Sequence, residues 1–307
     1  MMLNDYYQNI GMKEFFERYG IVNAVRRGLF IATPIHFVHD YEVKKVLWQH
    51  KASKKIKFYL KYKNTEPTGL QYSDIQVDQP IWIYWNSGIE NAPTIIKKCY
   101  ESVVRYGGRT VILLSESNIE EYLKFPEYIT RKKEKKLIPL AGYTDLMRFA
   151  LLAHYGGTWF DATIYLTNKI PEAIFNSDFF AFRNSMGLLT NPVLYPAWFT
   201  HSKNNNETIN TIRNIAFAYW TNENHVNEYL LPNLIMTKVI QDDIDIENQI
   251  LYLNSDYSEY FVRVLGDEYS EEKYNWIKSL TCIHKLTYKL DSSIDRPGTF
   301  YRYIIEN

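Results

Sequence analysis

Long apolar runs, neighbouring cysteines and glycine-rich phosphate loops are all missing from this chain. No stretch of its 307 residues reaches the length needed to cross a bilayer. The longest apolar run near the N-terminus, Gly28 to Val38, is interrupted by Pro34 and His36. The opening MMLNDYY lacks the basic-then-apolar order of a secretion signal. Cys99 and Cys282 lie far apart, so free buried thiols in a reducing cytoplasm are the expectation, with a disulfide left open. There is no P-loop, no G-x-G-x-x-G, no H-E-x-x-H and no nucleophilic Ser or Cys signature. Any phosphate must be held by side chains or a metal, not by a glycine cradle. The formal net charge is zero, which argues against a nucleic-acid partner. His36 and His39 share a helix face beside Asp40 but bring no further ligand, so they make no zinc site.

What is present is a globular composition, rich in tyrosine, with 26 of them. Charge is uneven along it. From Lys44 to Lys63 there are eight lysines and no acidic residue, interleaved with Leu47, Trp48, Ile56 and Phe58. Such a segment suits an anionic membrane surface, an anionic acceptor or a solvated helix face. Acidic residues dominate from Gln241 to Lys273. Residues 64 to 80 are polar and contain Pro and Gly, so they read as a connector. This divides the chain into an N-terminal helical, basic segment, 1–75, and a main domain, 76–307.

Beyond the connector, strand and helix patterns alternate. Ile81 to Trp85 reads as a strand, and Pro93 to Tyr106 as a helix with Ile95, Ile96, Cys99, Val103 and Val104 inward. Thr110 to Leu114 reads as a strand buried on both faces. Ser117 and Glu120 suggest a capping box for a helix ending near Leu123. Tyr143 to Tyr155 reads as a helix stopped by Gly156 and Gly157. Strands are expected at Thr158 to Phe160 and Phe179 to Phe182, and helices at 208–220, 226–240 and 271–279. The order implies an α/β sheet with ligands at the carboxyl ends of its strands.

The richest stretch is Tyr155 to Thr167, YGGTWFDATIYLT, where Asp161 ends an aromatic strand. Upstream, YTDLMRF places Asp145 and Arg148 on one helix side. These residues, with IWIYWNSGIENAPTIIKKCYESVVRY before them and CIHKLTYK after, resemble the capsular polysaccharide synthesis proteins. That family is similar to glycosyltransferases of the DXD-sugar-binding group. The resemblance spans roughly Gln79 to Lys289 and implies a GT-A-type, Rossmann-like fold. It implies a nucleotide-diphosphate sugar donor, UDP-linked, and transfer of a hexose or N-acetylhexosamine with retention to a capsular or lipid-linked glycan. It also implies a divalent metal, Mn²⁺ or Mg²⁺. The expected location is cytoplasmic, and the membrane-surface reading of Lys44–Lys63 would make it peripheral on the inner face of the plasma membrane.

By the same resemblance, Asp145, Arg148 and Asp161 are the catalytic residues. Asp145 would hold a sugar hydroxyl, and Arg148 the sugar or its phosphate. Trp85, Ser115, Gly157 and Lys285 complete the donor-binding set. Tyr84 and Trp85 point to opposite sides of a strand, and Trp85 is the expected base-stacking residue. The expected metal set is Asp161, Thr163 and His284. Thr163 stands where the family's second Asp lies. Three arrangements meet this: Asp161 takes the metal itself, His284 assists, or Arg148 and Lys285 neutralise the diphosphate without metal. The C-terminal half, with Tyr219, Trp220, Tyr229 and Asn233, is expected to shape the acceptor groove. The rival reading is a catalytically weakened scaffold of a polysaccharide synthesis complex. A nucleotidyltransferase would need the Gly-rich loop that is absent.

Overall fold

In the computed structural model, which describes residues 4–32, 41–184 and 191–307, two helices precede the sheet: α1 (Asn4–Ala32) and α2 (Tyr41–Tyr59). His36, His39 and Asp40 lie outside the described residues. The strands follow as β1 (Gln71–Tyr72), β2 (Ile81–Tyr84), β3 (Val111–Leu114), β4 (Leu123–Lys124), β5 (Gly157–Phe160), β6 (Ile164–Leu166), β7 (Phe179–Ala181), β8 (Phe199–Ser202) and β9 (Ile283–Lys285). Among them run α3 (Thr94–Tyr106), α4 (Glu127–Glu134), α5 (Leu140–Tyr155), α6 (Glu172–Asn176), α7 (Glu207–Asn222) and α8 (Leu231–Asp242). Shorter helices and Glu271–Leu280 complete the second half. Among the described residues, no helix is long and apolar enough to cross a membrane.

The central sheet has the order β3-β2-β5-β8-β7. β3, β2 and β5 are parallel, while β8 runs antiparallel to both β5 and β7. This is the mixed α/β architecture expected of a GT-A-type fold. Alternation along the strands divides the core. Trp82, Tyr84 and Trp159 face one layer with α5, α7 and α8; Ile81, Ile83 and Phe160 face the other. Because β2, β3 and β5 are parallel, their carboxyl ends meet at one edge, where Trp85, Ser115 and Asp161 follow.

Gly156 and Gly157 end α5 and begin β5 with φ of 70° and 95°, values that favour glycine. A Cβ on Gly157 would come within 2.2 Å of the Pro80 carbonyl oxygen, so this glycine lets β5 lie against the start of β2.

Several expectations need correction. Val104 is 56 % exposed, on the outer side of α3. β3 is the sheet's edge strand, and only Leu114 in it is fully buried. No helix is capped at Ser117: the Asn118 side chain takes the Ser115 N–H at 2.8 Å and donates to the Leu113 carbonyl at 3.0 Å. That bends the chain into a short turn, and β4 then pairs with β1 inside the connector. α8 starts at Leu231, not Val226, with a proline in its first turn.

The basic N-terminal segment is helical as expected, and it shares the core of the main body. Phe15, Tyr19, Ala52, Ile56 and Tyr59 are buried in one cluster with Tyr219 and Leu234. The Arg27 guanidinium donates to the Glu228 carboxylate in a pair only 2 % exposed on each side. Tyr59 Oη donates to Glu223 at 2.7 Å and Trp48 Nε1 to the Asn227 carbonyl at 3.2 Å. The α1–α2 hairpin is thus tied to the α7–α8 connection. Of its lysines, Lys44 is buried, Lys55 pairs with Glu223 at 2.7 Å, and Lys51, Lys54, Lys57, Lys61 and Lys63 are exposed.

Candidate active site

A cavity of about 810 Å³ opens at the carboxyl ends of β2 and β5. Trp85, Asp145, Arg148, Asp161, Thr163 and Lys285 line it together. Asp145 and Arg148 come from successive turns of α5, and Asp161 follows β5. The turn Asp161-Ala162-Thr163 is closed by the Ile164 N–H on the Asp161 carbonyl, 3.0 Å. β6 then pairs antiparallel with β9, setting Ile164 opposite Lys285 and so bringing Lys285 beside Thr163.

The charged groups form one chain of contacts. Arg148 is 5 % exposed; its Nη1 donates to the Ala197 carbonyl at 2.5 Å and its Nη2 to Asp161 Oδ1 at 2.9 Å. The same Nη2 is 3.3 Å from Asp145 Oδ1, and the guanidinium lies over Trp159. Trp159 Nε1 also donates to Asp161 Oδ1, at 3.2 Å. Lys285 Nζ donates to Asp161 Oδ2 at 2.7 Å and to Thr163 Oγ1 at 2.6 Å. Burial pushes the Asp161 carboxyl up, but Lys285 and Arg148 outweigh it and hold the group below its ordinary range. Asp145 goes the other way: burial pushes it up to about 7, Arg148 pulls it partly back, and the Asp161 charge adds to the rise. Two basic side chains therefore face one carboxyl held low and one pushed up.

Trp85 lines the cleft edge-on to Tyr288, ring centroids 5.3 Å apart. Tyr84 is 7 % exposed in the core, its hydroxyl donating to Asn86 Oδ1 at 2.7 Å. Ser115 is 9 % exposed and absent from the cavity wall; its hydroxyl is 2.8 Å from that of Ser117. Gly157 lies at the opposite end of β5 from Asp161, so it cannot meet a ligand there. His284 is fully buried on the other face of β9 from Lys285, because neighbouring strand residues alternate. Its Nε2 is 3.2 Å from Thr167 Oγ1, and burial holds it neutral, pushed down to about 3.

These placements bear on the expected metal. A hard divalent ion needs several free oxygen ligands. Here both Asp161 oxygens accept from cations, Thr163 accepts from Lys285, and His284 points away. Among the described residues, no three His, Cys, Asp or Glu side chains converge to hold an ion. The residues present do not fit the metal that the resemblance implies.

Tyr229 and Asn233 reach the cavity, whereas Tyr219 and Trp220 are core residues, 0 % and 1 % exposed. Sequence reasoning missed Trp159, although its place two residues before Asp161 puts both on one side of β5. It also missed Glu14 and Arg18 of α1, which reach the cavity rim and carry no local signal. A separate hollow of about 560 Å³ lies near Arg131, Lys132 and Lys135. Its lysine Lys132 is engaged by the Trp220 and Glu223 carbonyls at 2.5 and 2.9 Å, and Arg131 pairs with Glu127.

A family model described as capsular polysaccharide synthesis protein matches residues 34–304. No curated protein matches the chain. Among solved structures, the PaToxG glycosyltransferase is similar at 14 % identity and a TM-score of 0.40, over 67 % of this chain and 84 % of that one. That likeness is too loose to carry chemistry from one protein to the other.

Proposed function

The chain belongs to the capsular polysaccharide synthesis protein family, and from that premise we propose that it is a glycosyltransferase. It moves a hexose or N-acetylhexosamine from a nucleotide-diphosphate sugar, UDP-linked, to a capsular or other cell-surface glycan. The observation that carries this reading is the Asp145–Arg148–Asp161–Lys285 chain in a cleft beside Trp85. Sugar hydroxyls need paired acceptors and donors, which Asp145 and Arg148 supply. The leaving diphosphate gains charge as the glycosidic bond breaks, and Arg148 and Lys285 offset it. Trp85 offers a face for the base.

Transfer proceeds on the front face with retained configuration. The anomeric carbon–oxygen bond to the diphosphate breaks, and its electron pair stays on the phosphate oxygen. The acceptor hydroxyl oxygen bonds the anomeric carbon, and its proton passes to that phosphate oxygen. No side chain is needed as base. Incubation of the purified protein with a panel of nucleotide sugars, followed by NMR of the product anomer, tests this. An inverted product would refute the retaining mechanism. Polysaccharide synthesis that persists in a strain carrying Arg148→Ala and Asp161→Ala would favour the scaffold reading instead.

The acceptor is lipid-linked and is met at an anionic membrane surface. Leu47, Lys51, Lys54 and Phe58 recur along one exposed stripe of α2, and Ile21, Val22 and Val25 are exposed on α1. Apolar side chains set among lysines suit an anionic bilayer.

A further inference from the structure

We propose that Lys285 is the resident cation of this site, standing against the donor diphosphate where a divalent metal would otherwise stand, so that donor binding needs no metal. The inference rests on the nucleotide-sugar reading above.

Three observations carry it. The first is position. The Lys285 ammonium bridges Asp161 and Thr163, the two residues that flank Ala162 in the turn after β5. A metal held by that turn would need the same two side chains. A cation and a metal cannot share them, since each repels the other.

The second is valence. An ammonium has three donors. Two of them go to Asp161 Oδ2 at 2.7 Å and Thr163 Oγ1 at 2.6 Å. The side chain is 22 % exposed and lines the cleft, so the third donor is available to a phosphate oxygen. Thr163 then makes sense as a residue: its neutral hydroxyl orients the lysine without cancelling its charge. An Asp at 163 would do both. The Glu259 carboxylate also lies within reach of the Lys285 charge, and burial leaves it a weaker acid than usual.

The third is the missing ligand set. His284 is on the far face of β9, and the remaining Asp161 oxygen is held by Arg148 and Trp159. Arg148, fixed by the Ala197 carbonyl, supplies a second positive group behind the first. In the transfer step both groups act through their charge. They offset charge on the departing diphosphate and take no part in bond making.

Calorimetric binding of UDP and of a UDP-sugar panel, with EDTA and with Mn²⁺, tests the proposal on the full chain. The expected result is binding that EDTA leaves unchanged. Lys285→Gln keeps polar contacts to Asp161 and Thr163 but removes the charge, and should weaken binding about tenfold or more. Lys285→Arg should restore most of it. Binding abolished by EDTA and recovered with Mn²⁺ would overturn the proposal while leaving the nucleotide-sugar reading intact. Metal-independent binding that Lys285→Gln leaves untouched would overturn it too. No binding of any nucleotide in either condition would bring down the functional reading and this inference with it.

Discussion

The cleft floor and the α1–α2 hairpin are built on opposite plans. On the floor, Arg148, Asp161, Lys285 and Thr163 come from α5 and from the ends of β5 and β9, elements anchored in the core. Their charges are set against one another within hydrogen-bond reach. In the hairpin the buried Arg27–Glu228 pair, with Tyr59 on Glu223 and Trp48 on Asn227, fixes the position, and the outward faces carry exposed lysines and apolar side chains. A rigid sheet edge holds chemistry to a fraction of an ångström. A helical hairpin on the rim offers area. The two meet through residues 223–230: the hairpin grips Glu223, Asn227 and Glu228, and Tyr229 and Leu230 line the cleft.

The comparison breaks most sharply if the floor is cut. Arg148→Ala removes a guanidinium that touches Asp161, lies near Asp145 and holds the Ala197 carbonyl. Donor turnover, measured as kcat/KM for sugar transfer, should fall by about 10²- to 10³-fold, the scale for losing one fixed donor to developing charge. A fall of only a fewfold would mean that the floor does not carry the reaction.

Cutting the hairpin's anchor should act on stability instead. Arg27→Met removes the guanidinium that lies over Tyr19 and Trp48 and leaves the buried Glu228 carboxylate without it. The loss should be about 3–5 kcal/mol in urea unfolding. Affinity for the donor, measured on the folded fraction, should stay within a fewfold. A donor affinity that collapsed with it would join the two regions into one cooperative unit.

The fold was readable because the strand and helix periods are clean: Ile81 to Trp85 reads as a strand, and the structure sends Ile81 and Ile83 to one layer and Trp82 to the other. Asp145, Arg148 and Asp161 were readable because a helix turn and a short strand fix them locally. Lys285's contact with Thr163 was not, since the pair is 122 residues apart and depends on the β6–β9 register. The same register turns His284 away, and no local pattern could reveal that. Ser115 and Gly157 lie in the expected elements, but one is tied into its own turn and the other is needed where β5 packs on Pro80. Arg18 of α1 was invisible because hairpin docking is tertiary packing alone.

Within the floor, Asp145 and Asp161 differ by pH. Arg148 faces both, and Lys285 faces only Asp161. Asp161 stays ionised, while burial pushes Asp145 up to about 7. On the proposed reading Asp145 accepts sugar hydroxyls as a carboxylate, so donor affinity should fall as pH drops below about 7, approaching tenfold per unit. Asp145→Asn should flatten that profile. A raised carboxyl binds its proton more tightly folded than unfolded. Its stabilising contribution is therefore complete below the ordinary carboxylate range and is lost as pH rises to about 7. Asp145→Asn should thus gain stability over the parent at pH 8 more than at pH 5. A parent profile as flat as the variant's would place Asp145 outside donor recognition.

The smallest effect concerns the hairpin's outward face. Replacing Lys51, Lys54 and Lys57 with Gln and Phe58 with Ser touches only exposed positions. Stability should shift by about 0.5 kcal/mol or less per residue, and hydrolysis of a soluble donor should not change. Flotation with vesicles containing anionic lipid should drop clearly, since each lysine near such a surface is worth about 1 kcal/mol. Vesicles of neutral lipid should bind parent and variant alike, and weakly. Equal flotation of the two proteins on anionic vesicles would make the lysines a solvated face. The hairpin would then serve the cleft from its inner side alone, through Glu14 and Arg18 at the rim.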